Sequence, residues 1–205
     1  NVWKGTVSGC TDLERSEVDR GTSWLNYKVF CRRDAPAFYM DYAEVQFILA
    51  EAALKGWITG GQAAAKNYYE AGVRASMQKW SAQGAFSDPA VTITSADIDA
   101  YLASPLGSWD LATNKEEFLG NQKFLALFWV GMEAYHEYRR TGYPVLTIGE
   151  GTIYNDKVLP TRMGYPNITM LTNGANAEEA LEEMGGVNDM KTPVWWSKQA
   201  IAGTK

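Results

Sequence analysis

The sequence holds one histidine and two cysteines, Cys10 and Cys31, in 205 residues. So few soft ligands leave no basis for a zinc site, and no metal is expected. Clustered positive charge is missing as well: 19 Lys and Arg against 24 Asp and Glu give a formal net charge of −5. Nucleic acid is therefore not expected as a partner, because neutralising phosphates needs a concentrated basic face. No stretch reaches the ~18 apolar residues of a membrane span, and no basic, then apolar, then small-residue leader opens the chain. Also absent are the Gly-x-Gly-x-x-Gly fingerprint, a phosphate-binding loop and a Gly-x-Ser-x-Gly elbow, so no cofactor is implied.

What is present is a globular composition, 46% hydrophobic and 21% charged, unlike that of a disordered chain. A single domain over residues 1–205 would bury roughly 70% of its unfolded surface, enough for a core without disulfides or metal. Cys10 and Cys31 are separated widely enough to close one disulfide in an oxidising compartment, or to remain two free thiols. Val7-Ser8-Gly9-Cys10 has the shape of a lipoprotein cleavage site, but the residues before it include Lys4 and no apolar run. Aromatics are plentiful at 13%, with eight Trp and eleven Tyr. The chain opens on Asn1, which suggests a processed product or a fragment.

Residues 1–37 lack a sustained period and read as an irregular lead-in, followed by a helical region over 38–205. Tyr42, Val45, Ile48, Leu49 and Ala52 recur at helical spacing, and Gly56 is placed to end that helix. After Trp57 to Gly61 a second helix puts Ala64, Tyr68, Ala71 and Ala75 on one face, down to about Ala82. That Ala-x3-Tyr-x2-Ala spacing is the one found in the second helix of a tetratricopeptide repeat. One such hairpin leaves a face uncovered, so neighbouring helices are required. Thr94 with Asp97 predicts a capping box and a helix to Ala103. Asn114 with Glu117 predicts another, opening one long helix over Lys115 to Thr141 that Gly142 and Pro144 close. Pro144 to Asn173 reads as loops with room for a short β-hairpin near 145–165, and a last helix around Asn176 to Met184 ends at Gly185-Gly186. The fold class is all-α, in tetratricopeptide-like hairpins with long irregular loops.

Two sets of residues invite chemistry. Glu133, His136 and Glu137 sit on one helix, but Arg140 stands where a His-Glu-x-x-His motif needs its second His. Pairing of Glu133 and Glu137 with Arg140 or a neighbouring helix explains them better. Glu44 and Glu51 read in the same way, as partners for such arginines. The 24 acids still leave a glycoside hydrolase open as an alternative, since spacing does not place a catalytic pair. The second set is aromatic. Rings on loops suit sugar binding, because the C–H-rich face of a pyranose packs on them while nearby polar groups bond the hydroxyls. Trp24, Asn26, Tyr27 and Trp109 lie in segments read as loops and are the candidate ligand-binding residues. Trp57, Trp80 and Trp129 accompany helices and are expected in the core.

Several motifs occur together in order: Tyr42-Ala43-Glu44-Val45-Gln46-Phe47-Ile48-Leu49-Ala50-Glu51-Ala52-Ala53, Trp57, Tyr69-x-Ala71-Gly72-Val73-x-Ala75-Ser76-Met77 and Gln122-Lys123-Phe124-Leu125-Ala126-Leu127-Phe128. Gly131-x-Glu133-Ala134-Tyr135-x-Glu137-Tyr138-Arg139-Arg140-Thr141-Gly142-Tyr143-Pro144 follows, then Pro160-x-Arg162-x3-Pro166 and Val194-Trp195-Trp196. From about Pro36 to Trp196 the chain resembles the SusD/RagB family of nutrient-binding outer-membrane lipoproteins, in its SusD-like branch. One departure is Thr169, where the family often has Glu three residues past its Tyr-Pro. The resemblance implies an all-α repeat fold and no enzymatic activity. It further implies capture of an oligosaccharide, polysaccharide or other nutrient at the cell surface, and its transfer to a SusC-like TonB-dependent transporter. Members are longer and are anchored in the outer membrane through an N-terminal lipidated Cys. The chain is thus expected to match their C-terminal part, with the anchor outside it. A peptide- or protein-interaction module on the same scaffold is the alternative. Ligand-contacting loops differ between members, so the four candidate residues rest on chemistry, not on the resemblance.

Overall fold

A computed structural model describes residues 4–5, 8–18 and 21–197. Val7, at the start of the cleavage-site-like run, lies outside them. The described residues form nine α-helices and no strand: α1 Asp12–Val18, α2 Tyr27–Phe30, α3 Tyr42–Leu54, α4 Gly61–Gly84, α5 Ser95–Ala103, α6 Lys115–Ala126, α7 Glu133–Thr141, α8 Asn167–Thr172 and α9 Gly174–Met184. The chain divides into two compact units, one of Leu25–Tyr138 and the other of Asn1–Trp24 with Arg139–Lys205.

The Leu25–Tyr138 unit is built on α3 and α4, with α6 packed against both. Asp41 opens α3 by accepting a hydrogen bond from the Glu44 amide at 2.9 Å, and Gly56 leaves it in the left-handed region at φ 73°. Small side chains bring the helices close: Ala43, Ala50 and Ala53 of α3 and Ala65 of α4 are all buried. At Gly72 a Cβ would stand 3.0 Å from the Phe47 ring, so only glycine fits without a shift. Phe47 and Tyr69 fill the remaining space, and the Tyr69 hydroxyl donates to the Gly107 carbonyl at 2.8 Å. Burial raises the Tyr69 pKa, holding it as a neutral donor. The predicted caps hold, with a complete Thr94–Asp97 capping box on α5 and Asn114 accepting from the Glu117 amide on α6.

The buried stripes run one residue later than periodicity places them. Ala43, Phe47, Ala50 and Ala53 are buried on α3 while Tyr42 and Ile48 are exposed, and on α4 the core residues are Ala65, Tyr69, Gly72 and Val73. Both helices are apolar on two sides, so spacing alone does not choose between adjacent stripes. The Ala-x3-Tyr motif nevertheless recurs at Ala65 and Tyr69.

The single long helix expected from Lys115 to Thr141 is two helices. α6 ends at Ala126 and α7 begins at Glu133, and between them Trp129 and Gly131 adopt positive φ of 66° and 51°. Apolar residues continue through the break, which hides it from a periodicity argument. The lead-in at 1–37 is not wholly irregular, since α1 and α2 form there; Asn26 caps α2 by accepting from the Lys28 amide at 3.0 Å.

In the other unit the expected β-hairpin near 145–165 does not form among the described residues. Gly149 and Gly151 donate their amides to the carbonyls of Ser8 and Gly9, at 3.2 and 2.8 Å, so that backbone is paired elsewhere. Asn155, Asp156 and Lys157 then follow one another at φ between 52° and 58°, a left-handed turn that a strand cannot contain. Arg162 is buried and donates to the Val187 carbonyl, and the Arg139 guanidinium stacks over Trp196 at 4.6 Å. These motif residues hold the unit together. α9 ends as expected at Gly185 and Gly186, whose amides bond back to Glu182 and Leu181.

Candidate functional site

The break between α6 and α7 is where the Leu25–Tyr138 unit offers chemistry. A non-glycine residue in the left-handed region costs on the order of 1 kcal/mol, and such strain collects at functional positions. Trp129 is held there by ring packing: its indole lies 4.7 Å from Phe30 and 5.9 Å from Phe128. Phe128 and Phe30 in turn contact Trp80, and Phe38 meets Trp80 edge-on at 5.9 Å. These rings pack on one another, yet Trp129 remains 48% exposed. Facing it, the segment before α3 carries Tyr39 at 87% exposure. Between them runs a groove of about 610 Å³ lined by residues 37–40, Glu44 and residues 129–133. Its walls are apolar and aromatic, and its charged lining residues are both carboxylates, Glu44 and Glu133.

The electrostatics beneath the groove are uneven. Lys123 of α6 and Glu137 of α7 form a buried ion pair at 3.0 Å. Lys79 of α4 is taken by Asp41 at 2.5 Å and lies 4.9 Å from the Phe38 ring. Glu44 is only 6% exposed. Burial raises its carboxyl above the usual range; Lys123 opposes this, and the carboxylates of Glu133, Asp41 and Glu137 add to it. Glu133 is half exposed, with the His136 ring nitrogen Nδ1 3.7 Å away.

The residues suggested by sequence chemistry are scattered. Trp24 is 77% exposed and Tyr27 is also exposed, whereas the Asn26 amide is occupied in capping α2. Trp109 is corrected to a core residue: it is 4% exposed, packed on Tyr69 at 5.2 Å, with the Lys115 ammonium over its ring. Its segment is a loop, but the ring turns inward. Trp57 and Trp129, expected in the core, are exposed. Trp129 was detectable only through Gly131, two residues on, which could have marked the helix break. Glu133 and Glu137 separate as packing predicts, Glu137 bonding the neighbouring helix through Lys123. Glu44 approaches the same Lys123 rather than only an arginine, and Glu51 pairs with Lys55 at 2.9 Å. Among the described residues no group of three His, Cys, Asp or Glu is arranged to hold a metal, and Cys10 and Cys31 are free thiols.

The unit is an all-α scaffold built on the small-residue α3–α4 hairpin, with a ring-lined groove beside the α6–α7 break. Residues 2–166 match the SusD-like family described as "Starch-binding associating with outer membrane", and the chain belongs to that family. Among solved structures it resembles a chitin-binding protein at 38% identity, TM-score 0.64, over 77% of this chain and 33% of that one. A SusD homolog from Bacteroides fragilis matches at 30% identity and TM-score 0.75, over 92% of this chain and 41% of that one. A chitin-binding SusD homolog from Flavobacterium johnsoniae matches at 27% identity and TM-score 0.57, over 78% and 36%. The chain thus spans between a third and about two fifths of the length of these structures. No curated protein matches it. Among the described residues no helix is long and apolar enough to cross a membrane.

Proposed function

We propose that the protein binds glycans without turning them over, and that the Tyr39–Trp129 groove is where it does so. The observation that carries this is Trp129, fixed in a left-handed backbone on Phe30 and Phe128 with its ring presented to an open groove. A rigid, half-exposed indole is what a pyranose face needs, since little side-chain entropy is lost on stacking. The family's description as starch-binding and the chitin-binding names of two similar structures support the same class of ligand. The buried Lys123–Glu137 pair supports a non-catalytic role, because it commits Glu137 to the scaffold. The protein works at the outer-membrane surface, lipid-anchored as in the family, and passes its ligand to a SusC-like TonB-dependent transporter. Affinity electrophoresis against starch, chitin and other soluble polysaccharides tests the binding: retardation by at least one glycan, lost in Trp129→Ala, is expected. No retardation by any glycan would overturn it.

A further inference from the structure

The charges around the groove do not balance. Asp41 is matched by Lys79 and Glu137 by Lys123. That leaves Glu44 and Glu133, both lining the groove: Glu44 shares Lys123 with Glu137, and Glu133 has the His136 ring nearby. Glu44 is more than nine-tenths buried, and the cation acting on its carboxylate, Lys123, is already paired with Glu137. No Lys, Arg or His lines the groove to offset either acid. A buried carboxylate that shares its cation with a second carboxylate is short of counter-charge, and the cost is relieved when a cation arrives from outside. The upward shift of the Glu44 carboxyl, in which burial and the neighbouring carboxylates outweigh the opposing pull of Lys123, is in keeping with that shortage. The aromatic walls add to the attraction, since an ammonium beside an indole or phenol face is favoured by the ring quadrupole.

We infer that the groove selects a glycan carrying a free ammonium, a glucosamine-type amino sugar, which stacks on Trp129 and sets its ammonium between Glu44 and Glu133. The inference rests on the glycan-binding function proposed above and narrows it to a cationic ligand. A neutral N-acetylated sugar would gain the stacking and leave the carboxylates as they are. A hexosamine gains both, and its charge is the one the groove lacks.

The test compares glucosamine tetramer with N-acetylglucosamine tetramer by isothermal titration of the intact protein at low ionic strength. The deacetylated tetramer should bind about tenfold tighter, an amount in line with one partly desolvated charge contact. Added salt should shrink that ratio. Glu133→Gln, a change at a half-exposed side chain, should bring the ratio toward one. Trp129→Ala should weaken both tetramers. Equal affinities, tighter binding of the acetylated tetramer, or a ratio unaffected by Glu133→Gln would overturn the selection for ammonium and leave the glycan function standing. Failure of both tetramers and of every neutral polysaccharide to bind would overturn the two together.

Discussion

Trp109 and Trp129 lie in the same unit and serve opposite ends. Trp109 sits in a loop yet is buried against Tyr69, with Lys115 over its face and the Tyr69 hydroxyl satisfied by a nearby carbonyl. Trp129 follows a helix yet is half exposed, in a strained backbone, in a groove whose charged lining residues are the carboxylates Glu44 and Glu133. In the hairpin core around Trp109 small residues meet and the Tyr69 hydroxyl is paired with the Gly107 carbonyl. The groove around Trp129 carries what folding alone does not require, which is strain, exposed rings and a surplus of carboxylates. Where a protein leaves such features uncorrected, binding is the economical explanation.

The difference can be broken from either side. The largest effect should come from the floor of the groove. Lys123→Met breaks the buried ion pair with Glu137, and it should cost about 3 kcal/mol in denaturant unfolding. Adding Glu137→Leu to that variant should recover most of the loss. Next is the core. Gly72→Ala puts a methyl against the Phe47 ring and should cost about 1–3 kcal/mol by overpacking, with glycan affinity changed little.

A smaller stability effect should separate two changes at Trp129. Both Trp129→Ala and Trp129→Gly remove the ring, but only glycine relieves the left-handed backbone. The Gly variant should therefore be the more stable of the two by about 1 kcal/mol. The smallest effect concerns Glu44. Its carboxyl is raised in the folded protein, so the folded state holds the proton more tightly than the unfolded chain does. Stability is then greatest, as far as this group is concerned, below the ordinary glutamate range, and it declines as pH rises through the raised value. Glu44→Gln should flatten that decline in a pH series of unfolding midpoints.

Much of this architecture is legible in the sequence. Thr94 with Asp97, Asn114 with Glu117, and Gly185-Gly186 mark helix ends through local hydrogen bonds, and such signals survive without knowledge of packing. The family motifs place the helices in order. What the sequence leaves open depends on contacts between distant residues. On α3 and α4 two adjacent stripes are both apolar, and only the partner helix decides that Phe47 and Tyr69 go inside. The α6–α7 break lies in an unbroken apolar run, and Trp129 takes its direction from Phe30, about a hundred residues away along the chain. The site follows that break. Loop aromatics are a sound guide to sugar binding only when the ring points outward, and Trp109 shows how a loop ring can turn in.

The most direct test is a glycan titration of four proteins side by side: wild type, Trp129→Ala, Trp24→Ala and Tyr27→Ala. If the Tyr39–Trp129 groove is the binding site, Trp129→Ala should lose about 10–100-fold in affinity, the worth of one well-stacked aromatic. Trp24→Ala and Tyr27→Ala should stay within about twofold of wild type on the same scale. Wild-type affinity in Trp129→Ala, with a loss in Trp24→Ala or Tyr27→Ala instead, would contradict it and move the site to the exposed rings beside Asn26.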